Sequence, residues 1–236
     1  LSLMPYSMTC VAPTVAAVLS MRAPRQSVGE PIGGIVDVLQ DAERLAVIAP
    51  DALGWHQLRH FADEMPFLWS LCERRRVILK AVMPSVTCVN FATMISGCGL
   101  EGHGIRSRDL NFTCETLFDV LGEAGAEGAG CGRPGYTGGE LLARVAQIDG
   151  TAALADDAGV EEAVLRVANE HRARFIIAQI GGTDDHFHRF GATCDRMIPK
   201  LRETDCRLER MAEDLTRAGY AMMILADHGQ HDTGNP

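Results

Sequence analysis

The chain has 236 residues, of which 47% are hydrophobic and 22% charged, which is typical of a soluble globular protein with a sizeable core. Its net charge of -9, without a basic stripe, excludes binding to nucleic-acid polymers through phosphate neutralisation. No apolar run reaches the length of a membrane span, no signal peptide is predicted, and the scattered cysteines contain no Cys-x-x-Cys pair. We therefore expect a cytoplasmic protein in a reducing compartment.

Short apolar runs alternate with amphipathic segments along the chain. The runs predict buried strands at residues 45–49, 77–82, 175–180 and 221–226. Helical spacing predicts helices at residues 33–39, 62–75, 87–95, 110–124, 140–147, 160–170 and 197–218. This alternation indicates an α/β fold with a mainly parallel central sheet and helices on both faces. We expect a single domain over residues 1–236, with a possible small cap at 125–157.

Acidic residues follow three of the predicted strands. Asp51, Asp184 and Asp227 come directly after or close to strand ends, and the fourth strand runs into Pro84-Ser85-Val86-Thr87. Ligands of open α/β sheets bind outside the carboxyl ends of the strands. We therefore expect all four ends to converge on one edge of the sheet.

Histidines accompany these acids at spacings that suit a metal ion. Asp227 is followed directly by His228, and Asp184 lies four residues before His188, one helical turn away. Mixed carboxylate and imidazole sets favour zinc, manganese or iron over calcium. Asp185 and His186 are neighbouring alternatives to the second pair, although the spacing and the following Gly191 favour Asp184 and His188.

Taken in order, these segments resemble the alkaline phosphatase superfamily, especially its nucleotide pyrophosphatase/phosphodiesterase and phosphonoacetate hydrolase branches. That family has a strand-end Asp, a Thr or Ser nucleophile at a helix start, an Asp-x-x-x-His-x-x-Gly segment and a strand-end Asp-His-Gly. The matching residues here are Asp51, Thr87, Asp184, His188, Gly191, Asp227, His228 and Gly229. The resemblance covers roughly residues 45–230.

The resemblance implies a two-metal phosphoryl-transfer site. Asp51, Asp227 and His228 would hold the ion that activates Thr87. The other ion, held by Asp184 and His188, would activate water. The ions would be divalent, with Zn²⁺ expected first and Mn²⁺ or Fe as alternatives.

A small phosphorylated substrate is implied as well, with Asn90 donating a hydrogen bond to a phosphate oxygen. Phosphodiester or nucleotide pyrophosphate bonds are expected first, and phosphonoacetate or phosphomonoesters are the alternative. A catalytically inert relative that binds a phosphorylated ligand is the hypothesis from another class. Homo-oligomer formation stays open.

One part of the family pattern is missing. The second metal of the family takes a third ligand, usually His in a Gly-x-His-Gly segment well past Asp-His-Gly, whereas this sequence ends at Pro236. We expect the sequence to be incomplete at its C-terminus, with His231 as a weaker substitute ligand. His103, in a Gly-His-Gly loop, is expected to pack within the protein rather than contact substrate.

Overall fold

A computed structural model describes residues 5–171 and 173–231. The strands are β1 Tyr6–Ser7, β2 Leu45–Pro50, β3 Leu79–Lys80, β4 Gly128–Gly132, β5 Ile148–Thr151, β6 Phe175–Ile180 and β7 Ala221–Ile224. The helices are α1 Val11–Val18, α2 Gly33–Leu39, α3 Trp55–His60, α4 Pro66–Arg74, α5 Thr87–Ser96, α6 Leu100–His103, α7 Leu117–Glu123, α8 Ala143–Val145, α9 Asp157–Arg166, α10 Gly182–Phe190 and α11 Ile198–Arg217. Short 3-10 turns (Met8–Cys10, Ala62–Glu64, Asp195–Met197) and π turns (Gly138–Leu142, Val167–His171) adjoin them.

Five strands form the central sheet in the order β5-β4-β6-β2-β7, and every neighbouring pair is parallel. Leu45 lies opposite Phe175 on one side and opposite Ala221 on the other. Both β2 and β6 are buried along their whole length, which is why they read as unbroken apolar runs. The α/β fold with a mainly parallel sheet is therefore confirmed.

Side chains of β2 alternate between two hydrophobic clusters. Ala46 and Ile48 pack with the core-facing residues of α4, α9 and α11, whereas Leu45 and Val47 pack with those of α1, α5 and α7. Since successive strand residues point to opposite faces, these clusters lie on the two sides of the sheet. Helices thus cover both faces.

Two predicted elements differ most from the structure. Residues 77–82 do not join the central sheet: only Leu79–Lys80 is a strand, and it pairs with Tyr6–Ser7 in a separate two-stranded sheet. The helix predicted over 110–124 is limited to Leu117–Glu123, because Thr116 caps it through a reciprocal capping box with Asp119. An apolar pattern indicates that a segment is buried, but it does not fix the secondary structure. Both segments are partly buried, and neither forms the whole of the predicted strand or helix.

Residues 125–157, considered as a cap, contain two strands of the central sheet itself. Gly128–Gly132 pairs with β6, and Ile148–Thr151 forms one edge of the sheet. Most of this segment is therefore part of the scaffold rather than a cover over it. In the part of the chain that the structure describes, no helix combines the length and apolarity required for a transmembrane span.

Candidate metal centre

Two buried carboxylates meet at the carboxyl edge of the sheet. Asp51 directly follows β2, and Asp227 lies shortly after β7, the strand that pairs in parallel with β2. Their exposed fractions are 1% and 0%. Parallel pairing brings the two strand ends together, so the local sequence and the sheet order jointly place two acids side by side.

His228 and Thr87 complete this cluster. The Nε2 atom of His228 lies 3.5 Å from Oδ1 of Asp51, 3.3 Å from Oδ2 of Asp227 and 3.2 Å from the Oγ1 atom of Thr87. One ligand atom from each of the two acids and His228 lies within 4.8 Å of the others. A single cation could contact all three atoms.

One oxygen of each acid faces this position. Among the residues that the structure describes, Oδ1 of Asp51 and Oδ2 of Asp227 are buried and have no hydrogen-bond partner. Their second oxygens are occupied, because Gln179 Nε2 donates to Oδ2 of Asp51 and the Ala52 N–H donates to Oδ1 of Asp227 at 3.1 Å. Buried carboxylate oxygens without partners are costly unless a cation neutralises them, so these residues fit a divalent metal ion.

Burial raises the pKa of Asp51 well above its usual range, and the neighbouring charges of Asp227 and Asp184 raise this pKa further. Two buried acids whose ligand atoms lie within 4.8 Å of one another would both ionise only against strong repulsion. Such an arrangement is typical of a ligand set that is stable only when positive charge is bound.

The backbone around the cluster is tightly constrained. Ala52 adopts a left-handed conformation with φ 58°, an unfavourable one for a residue other than glycine, and its N–H then reaches Asp227. A Cβ on Gly54 would lie 2.6 Å from the Cα atom of Gly229. The glycine of Asp-His-Gly is therefore in direct contact with the loop that carries Asp51, and a side chain at Gly54 would collide with its backbone.

Thr87 reaches the cluster from outside the central sheet. It is the first residue of α5, a helix of 10 residues, and Val86 precedes it in extended conformation. Backbone N–H groups of a first helical turn have no partner within the helix, and they favour a bound anion. Thr87 therefore presents its hydroxyl beside a place where a phosphate could be held.

Asp184 and His188 lie one turn apart on α10, as their spacing predicted. Nε2 of His188 is 3.3 Å from Oδ1 of Asp184, and Gln230 Nε2 donates to the same oxygen at 2.7 Å. Burial raises the pKa of Asp184, while His188 and the Gln230 hydrogen bond oppose this rise. The His188 side chain is 71% exposed.

This pair alone offers two ligands. Within residues 5–171 and 173–231, the metal-competent group of three or more ligands is Asp51, Asp227 and His228, and it does not include the exposed His231. The second site is thus geometrically less complete than the first.

Asn90 was expected to donate a hydrogen bond to a phosphate oxygen, but its side chain is engaged elsewhere. Its side chain is fully buried, and its Oδ1 accepts a hydrogen bond from Val82 N at 2.8 Å. Both amide hydrogens are used, because Nδ2 donates to the carbonyl oxygens of Val82 and Val86. Asn90 therefore fixes the loop before Thr87 to helix α5 and has no N–H left for a phosphate oxygen, which corrects its predicted role.

The remaining histidine and acid alternatives have other partners. His103 is buried, its Nδ1 accepts from Ile105 N at 3.0 Å, and burial lowers its pKa to about 4, with a smaller contribution from the Arg106 charge. It packs within the loop, as predicted. Asp185 pairs with Arg133, and Nδ1 of His186 lies 2.8 Å from the carbonyl oxygen of Gly182.

Sequence reasoning missed Gln179, although a signal was present. It is the polar residue in the otherwise apolar strand Phe175–Ile180, and it is 2% exposed. Its amide donates to Asp51, and its Oε1 accepts from Gly138 N at 2.6 Å. A lone amide in a buried strand needs polar partners, which here orient a candidate metal ligand.

Comparison with known proteins gives one family match and several similar structures. The family model for type I phosphodiesterase / nucleotide pyrophosphatase matches residues 45–113. Human ectonucleotide pyrophosphatase/phosphodiesterase 5 is 15% identical with a TM-score of 0.56, over 79% of this chain and 57% of that one. No curated protein sequence matches the chain.

Two further structures resemble the chain. Phosphonoacetate hydrolase from Sinorhizobium meliloti, in complex with phosphonoformate, is 18% identical with a TM-score of 0.61, over 79% of this chain and 56% of that one. An inactive threonine-to-alanine variant of murine ectonucleotide pyrophosphatase/phosphodiesterase 5, in complex with AMP, is 15% identical with a TM-score of 0.58, over 79% and 57%. The chain thus spans less than two thirds of the length of each, and at these low identities the structural likeness shows a shared fold alone.

Proposed function

We propose that this chain is a metal-dependent phosphohydrolase with Thr87 as its nucleophile. The family match and the fold confirm its resemblance to the nucleotide pyrophosphatase/phosphodiesterase-like branch of the alkaline phosphatase superfamily. The observation that carries the proposal is the Thr87 hydroxyl, 3.2 Å from Nε2 of His228, beside two buried acids with unpartnered oxygens. A hydroxyl, an imidazole and two carboxylates from three distant segments have no structural need to meet there.

Asp51, Asp227 and His228 are the proposed ligands of the first ion. A bound divalent cation lowers the pKa of an adjacent hydroxyl and offsets the negative charge of a phosphoryl group. The Thr87 hydroxyl would lose its proton to solvent and its oxygen would attack phosphorus, while the P–O bond to the leaving group breaks and the leaving oxygen takes up a proton. Water would then cleave the bond between the threonine oxygen and phosphorus, which releases the phosphate product and restores the Thr87 hydroxyl.

Residues around Thr87 have separate tasks in this scheme. The N–H groups of the first turn of α5 face the incoming phosphate and stabilise its oxygens. Gln179 and the Ala52 N–H orient the two carboxylates toward His228. Asn90 holds the loop before Thr87, so its contribution is the orientation of the nucleophile.

Zn²⁺ is the proposed metal, with Mn²⁺ or Fe as alternatives, because the ligand set mixes carboxylates with imidazole. Asp184 and His188 are the proposed ligands of a second, weaker ion. His228 and Asp227 lie near enough to Asp184 to affect its pKa, so the second position adjoins the first.

The proposed substrates are small phosphodiesters or nucleotide pyrophosphates, with phosphonoacetate or phosphomonoesters as the alternative. AMP in the murine relative and phosphonoformate in the bacterial one support a small phosphorylated or phosphonate ligand. The inactivity of the threonine-to-alanine murine variant supports a threonine nucleophile in a protein of this fold.

Turnover of an aryl phosphodiester, with metal analysis of the same samples, tests this proposal. Thr87→Ala should lose activity by about a thousandfold or more, the order expected when a covalent route is removed. Ser85→Ala is the matched control, because it removes a hydroxyl two residues earlier in the same loop and should keep full activity. Equal activity of Thr87→Ala and wild type, with Zn²⁺ bound to both, would refute the nucleophile.

An inert phospho-ligand-binding protein is the second candidate. Its specific support is the second site, where Asp184 and His188 offer two ligands and His188 is largely exposed. Such a protein would bind AMP in calorimetry and show no turnover with added Zn²⁺ or Mn²⁺, in either wild type or Thr87→Ala.

A further inference from the structure

The first turn of α10 is anchored on two sides by contacts outside its own helix. Gly182 N donates to Oδ1 of Asp157 at 3.0 Å, and Lys200 Nζ lies 2.7 Å from Oδ2 of the same buried acid. The hydroxyl of Thr183 donates to the backbone oxygen of Asp51 at 2.6 Å. These contacts connect the start of α10 to α9, to α11 and to the loop of the first metal position.

The next anchor is Asp185, which has both carboxylate oxygens occupied. Nη2 of Arg133 donates to Oδ2 at 2.7 Å, and the Tyr136 hydroxyl donates to Oδ1 at 2.8 Å. The Arg133 guanidinium also lies over the Tyr136 ring, 3.8 Å from its centroid. Two hydrogen bonds and one stacking contact thus hold a single acid in place.

Arg133 crosses from β4 to α10 through a narrow gap. It directly follows β4, and its side chain is 9% exposed. A Cβ on Gly181, at the end of β6, would lie 2.3 Å from its Nη2. Any side chain at residue 181 would displace the guanidinium from Asp185, so the glycine is needed for this contact.

Asp184 lies between two anchored residues of this turn, and Nε2 of Gln230, two residues after His228, donates to its Oδ1 at 2.7 Å. Its neighbours Thr183 and Asp185 are bound to Asp51, Arg133 and Tyr136. On a helix, fixing the residues on both sides of a position also fixes the direction of the side chain between them. The anchored turn then keeps the Asp184 carboxylate against the segment that carries His228, where it accepts the hydrogen bond from Gln230.

We infer that Arg133 and Tyr136 are positioning residues, which hold Asp185 so that Asp184 and His188 face the second metal position. This inference rests on the proposed function for its consequence, since Asp184 and His188 are ligands only in that proposal. An ordinary surface ion pair needs none of the features seen here: a buried guanidinium, stacking on Tyr136 and a glycine that leaves room for the arginine. Burial of the guanidinium costs free energy that a surface ion pair does not require. Their common result is a fixed orientation of α10.

Hydrogen exchange of the metal-free protein tests the positioning directly. In Arg133→Gln and in Tyr136→Phe, amides of residues 182–190 should exchange roughly tenfold faster, while those of β6 and α11 keep their wild-type rates. Arg144→Gln is the matched control, because Arg144 bonds carbonyl oxygens of residues 108, 110 and 140 and the side chain of Asn111, none of which belongs to α10. It should leave residues 182–190 unchanged.

Titration with Co²⁺, followed by calorimetry and by the visible absorption of the bound ion, tests the consequence for the ligands. Loss of an outer contact that orients a ligand costs roughly 10–100-fold in metal affinity. We expect this loss for the second equivalent of Co²⁺ only, in Arg133→Gln and, less strongly, in Tyr136→Phe. Arg133→Lys keeps the charge without the planar fork, so it should recover part of the affinity.

The outcomes separate the positioning role from the proposed function. Unchanged exchange of residues 182–190, or equal weakening of both Co²⁺ equivalents, would overturn the positioning role. The exchange measurement needs no metal, so it decides this role even for a protein that binds no Co²⁺. Absence of Co²⁺ binding together with absence of turnover would instead contradict the proposed function.

Discussion

Replacing Asp227 by Asn should stabilise the metal-free protein while it abolishes metal binding. The Asn Oδ1 can still accept from Ala52 N, and its amide nitrogen replaces the oxygen that lacks a partner near Asp51. With ligand atoms within 4.8 Å of one another, two unit negative charges repel by roughly 3 kcal/mol at an effective dielectric constant of about 20. Relaxation of the site and screening by solvent reduce the expected gain in unfolding free energy to about 1–3 kcal/mol at pH 8.

The gain should depend on pH. Burial and the charges of Asp227 and Asp184 raise the folded-state pKa of Asp51 above its unfolded value, so between these two pKa values the folded protein holds more protons than the unfolded chain. The metal-free wild type therefore loses stability as pH rises through this range. As the pH falls below the raised pKa, the Asp51 carboxyl group gains a proton in the folded protein, and the advantage of Asp227→Asn should shrink.

Urea unfolding of the wild type and of Asp227→Asn, in chelator and at several pH values, gives the free energy of unfolding of each. Subtracting one from the other at each pH cancels the titration of groups that both proteins share. Zn²⁺ at a hundred times its dissociation constant should stabilise the wild type by about 2.7 kcal/mol and Asp227→Asn by nothing measurable. Asp205→Asn is the control: this buried acid accepts from Phe67 N and Leu68 N, both at 2.9 Å, so its variant should be destabilised by about 1–3 kcal/mol with or without Zn²⁺. Destabilisation of metal-free Asp227→Asn at pH 8 would refute the like-charge argument.

Three other variants probe the scaffold of the site. Gly54→Ala places a Cβ 2.6 Å from Gly229, so it should cost about 1–3 kcal/mol in urea unfolding and weaken Zn²⁺ binding in calorimetry, whereas Gly33→Ala, with nothing within 4 Å, should be tolerated. Asn90→Asp keeps the acceptor and loses both donors to the 82–86 loop, so it should reduce stability by about 1–3 kcal/mol and lower kcat more than it raises KM; a selective rise in KM would restore a phosphate-binding role. His103 is buried and its pKa is lowered to about 4, so the free energy of unfolding should increase as pH rises from about 4 toward 6.5. His103→Gln should flatten this part of the curve of unfolding free energy against pH, and an unchanged slope would contradict the argument.

The apolar runs and the acids behind them were sufficient to predict the main strands and their ends. Residues 45–49 and 175–180 became β2 and β6, and they are recognisable because both faces of a central parallel strand are buried. The same logic placed Asp51 and Asp227 at one sheet edge. The family pattern placed Thr87 with them, and its oxygen lies 3.2 Å from His228.

Local pattern failed where burial came from something other than the central sheet. Residues 77–82 are apolar except for Lys80, yet only Leu79 and Lys80 form a strand, and they pair with β1. The 125–157 segment is rich in glycine, which weakens the sequence signal of a strand. These glycines are nevertheless needed, because a Cβ added at Gly130 or Gly132 would lie only 2.2–2.4 Å from neighbouring backbone atoms.

Sequence alone determined which reactive side chains stand at the element boundaries: acids and imidazoles at strand ends and a threonine at a helix start. This was possible because the local spacing of apolar residues indicates where strands and helices begin and end. Tertiary structure alone decided how each side chain is used. Whether Asn90 faces a phosphate or a loop, and whether Asp185 binds Arg133, depends on residues far apart in the chain. Contacts of that kind arise from strand order and loop path, which no local pattern encodes.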